Sequence, residues 1–355
     1  MAYATISKPS LHFNTKLYTG TGAENAQTGV GFQPDFTWIK DRDSAYWHRI
    51  IDVARGVTKE IYTNDTAKEA TQAQSLKSFD SDGFTLGTFA EVNSNNNNFV
   101  SWNWKCGGAT SSNSDGSITS NVTANTTSGV SVVTWTGNQT NSTVGHGLGV
   151  APDVIFIKNY GDASGAENWR VGHSAVSSSF ASGVYLNDQA TSWTQSGVFN
   201  DTAPTSSVFT VGTFHSSNGT GDGMVAYCFA EKKGFSKFGT YIGNANTDGP
   251  FIYCGFKPAW VVVKTVNNQA GHWRLADNKR TPFNTTQNLL FPSANSAENT
   301  TPTGNGNDYE FYSNGFKITT DNAYANGNGN QLLYMAFAAE PLVANVGASI
   351  PATAR

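Results

Sequence analysis

Three lysines and three arginines recur at matching places along the chain and are the first candidates for chemistry. Each lysine ends an apolar run that begins just after a proline, and each arginine closely follows a tryptophan. Cations in this pattern predict either a shared site for an anion or acidic sugar, or strand-end residues whose stems cover the tryptophan. We favour the second role because the cations follow the apolar pattern so closely. The recurring residues are Pro34, Lys40, Trp47, Arg49, then Pro152, Lys158, Trp169, Arg170, and then Pro258, Lys264, Trp273, Arg274.

Aromatic side chains in polar loop segments form a second group of candidates. Tyrosine and tryptophan combine apolar area with a hydrogen-bonding group, which is what sugar-binding and protein-binding surfaces use. The alternative is that these rings are partly buried at the edges of sheets. The candidate ligand-binding residues are Trp193, Tyr46, Tyr160, Tyr309, Tyr312 and Tyr324.

The carboxylates do not form the recurring pair that hydrolysis of a glycosidic bond requires. Asp35 and Asp153 follow two of the three recurring prolines, but Ala259 stands at the third. We expect both aspartates to accept hydrogen bonds from backbone N–H groups at a turn. Residues 80–83 place glycine fourth, whereas a calcium-binding EF-hand loop places it sixth. A hairpin turn is therefore expected there, and a calcium ion is left open.

Histidine and cysteine give no pattern for a metal or a nucleophile. The six histidines are scattered, and the three cysteines lie far apart with no C-x-x-C spacing. We expect Cys106, Cys228 and Cys254 to be free, buried thiols. We therefore predict no catalytic residue, no metal and no cofactor, and a protein that is not an enzyme.

Composition favours strands and excludes two classes of partner. Charged residues make up 14% of the chain, well below the roughly 25% that is typical, and glycine occurs 36 times. Residues such as Gly, Asn, Thr and Ser favour turns and strands over helices. The net charge of -4 gives no basic footprint for nucleic acid. No apolar run approaches the ~20 residues of a membrane span, so we expect no membrane insertion.

The elements that must position these residues repeat three times. Each copy carries, in order, an aromatic strand end, the proline run ending in lysine, a tryptophan-containing strand, a turn followed by a strand, and a closing apolar strand. Turn signals recur about every ten residues, which is typical of sandwiches and jelly rolls. We predict an all-β protein of three tandem β-sandwich modules, jelly-roll or lectin-like, over residues 1–107, 131–238 and 239–342.

Three further segments fall outside this pattern. Residues 108–130 are Gly, Ser, Thr and Asn with few apolar residues, which predicts a polar linker or extended arm. Residues 343–355 form a weakly apolar tail. Residues 65–75 have helical character, strongest at 66–70, and predict a short insert in the first module.

Several runs of the sequence are distinctive beyond the repeated landmarks. They are Val30 to Lys40, Asp115 to Ile118 through Asn125 to Thr127, Val144 to Pro152 and Ile350 to Arg355. In these runs the sequence resembles a family of tailed-bacteriophage proteins, common among marine phages, that carry copies of this module. The resemblance covers essentially the whole chain and brings no catalytic residues with it. It implies a virion component, assembled in the host bacterial cytoplasm, whose partners are other virion proteins.

Two functions from different classes follow from these observations. The first is a tail-fibre or receptor-binding adhesin whose repeated modules contact host surface glycan, because linked weak sites gain avidity. The alternative is a decoration or cement protein on the capsid or tail, with the polar arm and the tail exchanging strands with neighbours. A polysaccharide depolymerase is disfavoured because the carboxylate pair is missing. The sequence leaves a homotrimer open.

Overall fold

The chain forms strands almost throughout, as the composition predicts. The computed structural model describes residues 4–162, 167–284, 288–300 and 306–341. Strands account for 43% of the residues and helices for 6%, in several antiparallel sheets. The four α-helices found among these residues have four residues each. In the described part of the chain, no helix has the length and apolar character needed to cross a membrane.

Short helices lie between the strands along the chain. A 3-10 helix at Pro9–Leu11 precedes the first strand. The helices are α1 (Ala90–Asn93), α2 (Ser196–Phe199), α3 (His215–Asn218) and α4 (Ala323–Asn326). The strands are β1 (Phe13–Thr19), β2 (Asn25–Thr28), β3 (Phe36–Asp41), β4 (Arg49–Asp52), β5 (Lys59–Tyr62), β6 (Ala70–Thr71), β7 (Leu76–Asp80), β8 (Gly83–Leu86), β9 (Asn98–Trp104), β10 (Ser111–Asn113), β11 (Ser120–Asn125), β12 (Val130–Thr136), β13 (Ser142–Gly145), β14 (Val154–Asn159), β15 (Arg170–His173), β16 (Ser182–Tyr185), β17 (Trp193–Thr194), β18 (Val208–Val211), β19 (Gly223–Phe229), β20 (Ser236–Ile242), β21 (Phe251–Tyr253), β22 (Phe256–Thr265), β23 (Arg274–Asp277), β24 (Gly306–Tyr312), β25 (Gly315–Thr320) and β26 (Gln331–Pro341).

Three large sheets share one strand order. The first contains β1-β9-β3-β4 and continues to β5 and β6, and the second contains β12-β19-β14-β15. The third is β20-β26-β22-β23. In each, the closing apolar strand lies between the opening strand and the strand that ends in the recurring lysine. We refer to residues 13–104, 130–229 and 236–341 as the first, second and third segments.

A small sheet covers one face of each large sheet. These sheets are β2-β8-β7, β13-β18 and β21-β25-β24. A separate apolar cluster fills the space between each pair of sheets; in the first segment it joins Tyr18, Ile39 and Phe99 of the large sheet to Phe84 and Leu86 of the small one. Each segment therefore has the two-layer core of a sandwich.

The opposite faces of the large sheets meet in one central core. Successive residues on a strand point to opposite faces, so one enters the central core and the next enters the sandwich core. A strand buried on both faces is apolar at successive positions. The runs before Lys158 and Lys264 are continuous in this way, whereas Thr37 interrupts the run before Lys40. The pairs are Trp38 and Ile39 in β3, Phe156 and Ile157 in β14, and Val262 and Val263 in β22.

Hydrogen bonds between segments accompany this core and close a ring. Trp169 Nε1 of the second segment donates to the Tyr62 carbonyl oxygen of the first at 2.7 Å. Trp273 Nε1 of the third donates to the Tyr185 carbonyl oxygen of the second at 2.7 Å. Trp102 Nε1 of the first donates to Asp277 Oδ2 of the third at 3.0 Å. Each segment therefore contacts both of the others.

The structure describes two of the three further segments, and the third lies outside the described residues. Residues 108–130 contain β10 and β11, which add to the second large sheet; β11 pairs with β12, and Val122 is buried there. No helix forms at residues 65–75, where the chain is irregular on both sides of the short strand β6. The tail at 343–355 falls outside the residues that the structure describes.

Candidate functional site

The structure separates the six candidate aromatic residues by exposure. Trp193 is 4% exposed and donates its Nε1–H to the Val184 carbonyl oxygen, while Tyr309 is 0% exposed. These two rings belong to the core, so their assignment to a ligand-binding surface is corrected. Proximity to polar residues in the sequence did not predict exposure, because the strands that carry Trp193 and Tyr309 direct these rings into the core.

The other four candidates retain some exposed surface. Tyr46 and Tyr160 are partly buried, and the Tyr160 ring lies 5.9 Å from the Arg55 guanidinium. Tyr312 is 36% exposed and Tyr324 is 38% exposed. These positions lie on different segments, so the six residues do not form one site.

An exposed aromatic surface forms instead on the small sheet of the third segment. Phe251 is 46% exposed and Tyr253 is 56% exposed, and both lie on β21. Tyr312 lies on β24, and its ring centroid is 5.9 Å from that of Phe251. We call Phe251, Tyr253 and Tyr312 the aromatic platform. Phe251 and Tyr253 were missed as candidates; the signal was two aromatics flanking the inward-facing Ile252 on a short strand.

Gly315 forms the floor between the rings of the aromatic platform. It pairs with Tyr253 on one side and with Tyr312 on the other. A methyl group at Gly315 would meet the Ile252 carbonyl oxygen at 2.0 Å, so only glycine fits. The rim is polar, because Lys317 pairs with Asp248 and the Tyr312 hydroxyl donates to Glu310.

A cleft of about 320 Å³ lies at the edge of the same sheet, beside β24. Asn284 borders it and holds the edge strand by bonds to the Phe311 backbone at 3.0 and 2.8 Å. Phe283, which is 78% exposed, lines the cleft together with Lys257. Two polar atoms of its lining residues, Asn278 Oδ1 and Thr281 Oγ1, are buried and accept or donate no hydrogen bond within the described part of the protein.

The aromatic platform is particular to the third segment. Gly83 on β8 and Val208 on β18 occupy the place of Gly315 in the small sheets of the other two segments. In these two small sheets the residues that correspond to the aromatic platform are small or polar. The residues at the platform positions are Ala26, Thr28 and Asp80 in the first segment, and Thr143 and Gly145 in the second.

The recurring lysines are buried and bind the backbone. Lys40, Lys158 and Lys264 are each 0% exposed. Lys158 Nζ donates to the carbonyl oxygens of Thr66 and Glu167 at 2.6 and 2.5 Å, and Lys264 Nζ to those of Gln189 and Gly271 at 2.8 and 2.5 Å. Burial lowers the pKa of each lysine to about 8, and nearby carboxylates offset only part of this effect. Ammonium groups placed in this way tie loops together and do not face solvent.

The recurring arginines are also buried, but their partners differ. Arg49 pairs with Glu60 and Glu91, and Arg274 pairs with Asp308 at 2.9 Å. Arg170 donates to Ser216 Oγ at 2.8 Å and lies against the rings of Tyr185, Trp193 and Phe214. No carboxylate among the described residues lies within ion-pair distance of Arg170, and its Nη1 has no hydrogen-bond partner there. Burial lowers the pKa of Arg170, whereas Glu60 and Glu91 outweigh burial and raise that of Arg49.

The remaining recurring residues support the framework. Trp169 and Trp273 are fully buried, whereas Trp47 is half-buried and lies 4.6 Å from the Tyr62 ring. Pro34 and Pro152 precede their strands, but Pro258 lies inside β22 at a register shift, where a missing N–H is tolerated.

The acidic residues at the turns also bind backbone. Asp35 Oδ2 accepts from the backbone N–H groups of Cys106 and Gly108 at 2.7 and 3.1 Å, and Asp153 Oδ2 from that of Glu231 at 2.8 Å. Asp82 accepts from the N–H groups of Gly29 and Gly31 at the β7–β8 hairpin. These carboxylates hold turns and connections in place. Cys106, Cys228 and Cys254 are free and buried.

One asparagine in each segment was missed by the sequence reasoning. Asn93, Asn218 and Asn326 end the short helices α1, α3 and α4 and are 0% exposed. Asn218 Nδ2 donates to the carbonyl oxygens of Thr140 and Gly212 at 2.9 and 3.0 Å. Their signal was the same residue type just before each closing strand.

Comparison with known proteins identifies a family but not an activity. A family model described as a domain of unknown function, DUF7483, matches residues 8–341. No curated protein matches the chain.

Proposed function

We propose a function from the surface of this chain itself, since the chain belongs to the DUF7483 family, which carries no assigned activity. The proposed function is that of a non-enzymatic adhesin on a bacteriophage particle, of the tail-fibre or receptor-binding type, which contacts glycan on the host surface. The observation that carries this proposal is the aromatic platform of Phe251, Tyr253 and Tyr312 with its adjoining cleft.

The shape of the platform suits a sugar ring. Exposed aromatic rings that combine apolar faces with a hydroxyl are the groups that binding surfaces use for amphipathic ligands. Gly315 keeps the floor between Tyr253 and Tyr312 free of side-chain atoms. A pyranose lying there would place its C–H face on the rings and its hydroxyls towards Lys317 and Glu310.

The cleft supplies polar side chains for a saccharide to contact. Asn278, Thr281 and Asn284 line it, and its volume lies at the lower end of the range for ligand sites. Lys257 is the charged residue among those lining the cleft. We therefore expect acidic oligosaccharides to bind more tightly than neutral ones.

Substitution in the platform tests the proposal. Purified protein is assayed against an array of bacterial surface polysaccharides and then by calorimetry with the best ligand. The double variant Tyr253→Ala, Tyr312→Ala should lower affinity at least tenfold, because aromatic anchors carry about 2 kcal/mol or more in binding sites. Tyr324→Ala is the matched control, since Tyr324 is as exposed as Tyr312 but lies outside the platform. Unchanged binding by the double variant would show that the platform is not the binding surface.

The position on the particle separates the adhesin from the alternative. Immunogold electron microscopy of intact phage should place this chain at fibre or tail tips. Gold spread over capsid faces would favour a decoration protein instead. That alternative loses one of its supports, because residues 108–130 are engaged in the second large sheet and not free to exchange. Release of reducing sugar from host polysaccharide would revive the depolymerase.

A further inference from the structure

A mixed cluster of carboxylates and imidazole lies in the second segment, apart from the aromatic platform. Asp162 and Glu167 belong to the connection that follows β14, and His215 is the first residue of α3. One ligand atom from each lies within 4.8 Å of the other two. Atoms bound about 2 Å from one metal ion lie at most about 4 Å apart, so the three groups need to approach by less than about 1 Å.

The imidazole is oriented by a second carboxylate. His215 Nδ1 lies 3.1 Å from Glu167 Oε1, and Nε2 lies 3.2 Å from Asp222 Oδ2. Asp222 is itself held by Asn159 Nδ2 at 2.8 Å. This is the arrangement found around metal-bound histidines, where one ring nitrogen faces the ion and the other donates to a carboxylate.

The charges in the cluster favour a bound cation. Three carboxylates surround one imidazole, and Asp162 is only 7% exposed. Like charges at this spacing destabilise one another. The ammonium of Lys158 lies nearby, but its hydrogen bonds go to the carbonyl oxygens of Thr66 and Glu167, and it also faces Asp65. Arg170 also faces Glu167, so Lys158 and Arg170 together offset part of the negative charge of these carboxylates.

The corresponding turns of the first and third segments form without an imidazole and without the carboxylate of Asp222. In the first segment the places of His215 and Asp222 are taken by Ala90 and Asn97, and Asn97 Nδ2 donates to Asp41 Oδ2. In the third they are taken by Ala323 and Asn330, and Asn330 Nδ2 donates to the Ala323 carbonyl oxygen. Neutral amides suffice for the turn, so the turn itself does not require the imidazole or the extra acid.

We propose that the second segment binds one divalent first-row transition-metal ion, with Asp162, Glu167 and His215 Nδ1 as ligands. Asp222 is the positioning residue that fixes the imidazole. A nitrogen ligand with two carboxylates suits Zn²⁺ or Mn²⁺, whereas Ca²⁺ takes oxygen ligands only. Bound metal would tie the connection after β14 to α3.

Titration of the metal-free full chain with Zn²⁺ tests this site. After treatment with EDTA, calorimetry should detect one saturable Zn²⁺ site per chain, and Co²⁺ should give a visible absorption band at the same stoichiometry. His215→Ala, which places the residue of the other two segments at this position, should lower Zn²⁺ affinity at least 100-fold and abolish the band. Asp222→Asn should lower the affinity about 10–100-fold with the band retained, as expected for a residue outside the coordination shell.

A matched histidine variant separates this site from adventitious binding. His12→Ala removes a partly buried histidine of the first segment and should leave Zn²⁺ affinity unchanged. Circular dichroism establishes that each variant folds. Absence of saturable binding of both Zn²⁺ and Mn²⁺ would overturn the proposal, and so would equal affinity in His215→Ala and His12→Ala.

Discussion

The buried arginines allow a direct measurement of what their partners contribute. Arg49 and Arg170 begin corresponding strands, β4 and β15, in two of the large sheets. Arg49 pairs with Glu60, whose side chain is 1% exposed, and with Glu91. Arg170 is 4% exposed, with one hydrogen bond to Ser216 and three aromatic neighbours. Replacing each by methionine removes the same charge from two different surroundings.

The expected losses differ because only Arg49 leaves a buried charge behind. Breaking a buried ion pair by removing one partner costs about 3–5 kcal/mol, so Arg49→Met should lower the free energy of unfolding by that amount. Arg170→Met loses a hydrogen bond of about 1.5–3 kcal/mol to a charged group. The substitution also removes the cost of burying the charged guanidinium, which is several kcal/mol, and methionine keeps favourable contacts with the three aromatic rings. The net change for Arg170→Met should be within about 1 kcal/mol of zero.

Equilibrium unfolding in urea, followed by tryptophan fluorescence, measures both changes. The slope of the free energy of unfolding against urea concentration must be the same in each variant for a shift in midpoint to report a change in stability. Arg274→Met provides a second paired case, because Arg274 contacts the buried Asp308, and it should resemble Arg49→Met. If Arg170→Met costs as much as Arg49→Met, the reasoning from carboxylate pairing is wrong and the guanidinium itself stabilises the core.

Three further predictions concern stability. The folded-state pKa of Lys40, Lys158 and Lys264 is lowered to about 8, so between pH 8 and 9.5 the unfolded chain binds more protons than the folded chain. The free energy of unfolding should therefore rise in this range by about 1 kcal/mol per pH unit for each lysine. Urea titrations at several pH values should show a smaller rise with pH for Lys264→Met than for the unmodified chain. Tyr227→Phe removes the hydroxyl that donates to Asp52 Oδ2 at 2.6 Å and should cost about 1–2 kcal/mol, while an unchanged midpoint would show that this contact between segments is neutral. Asn218→Ala leaves the carbonyls of Thr140 and Gly212 without their donor and should cost about 2–3 kcal/mol by thermal or urea unfolding; a loss below 0.5 kcal/mol, about that of an ordinary surface change, would contradict this role.

Several features could be predicted because they depend on local pattern. The largely apolar runs that end in Lys40, Lys158 and Lys264 became β3, β14 and β22, the strands buried on both faces. Turn residues between short apolar runs predicted an all-β chain, and the structure has that class. The composition of residues 108–130 did not show that this segment contains strands, because a strand at the side of a sheet needs few apolar residues when its backbone supplies the hydrogen bonds.

Exposure of the aromatic rings was decided by tertiary structure. Alternation along a strand tells which residues share a face, but not which face another sheet will cover. Tyr309 and Tyr312 lie on the same strand, yet the first is buried and the second exposed, because the large sheet of the third segment covers only one side of β24. The platform likewise required β21, β25 and β24 to pair side by side.

The sequence by itself determined the strand content and the order of the landmarks, since both depend on neighbours along the chain. The burial of the recurring lysines and arginines was decided by the tertiary structure. Only the tertiary structure brought Asp162 and Glu167 to His215, and Phe251 to Tyr312, because these residues are about 50–60 positions apart and their approach depends on how whole sheets pair and pack.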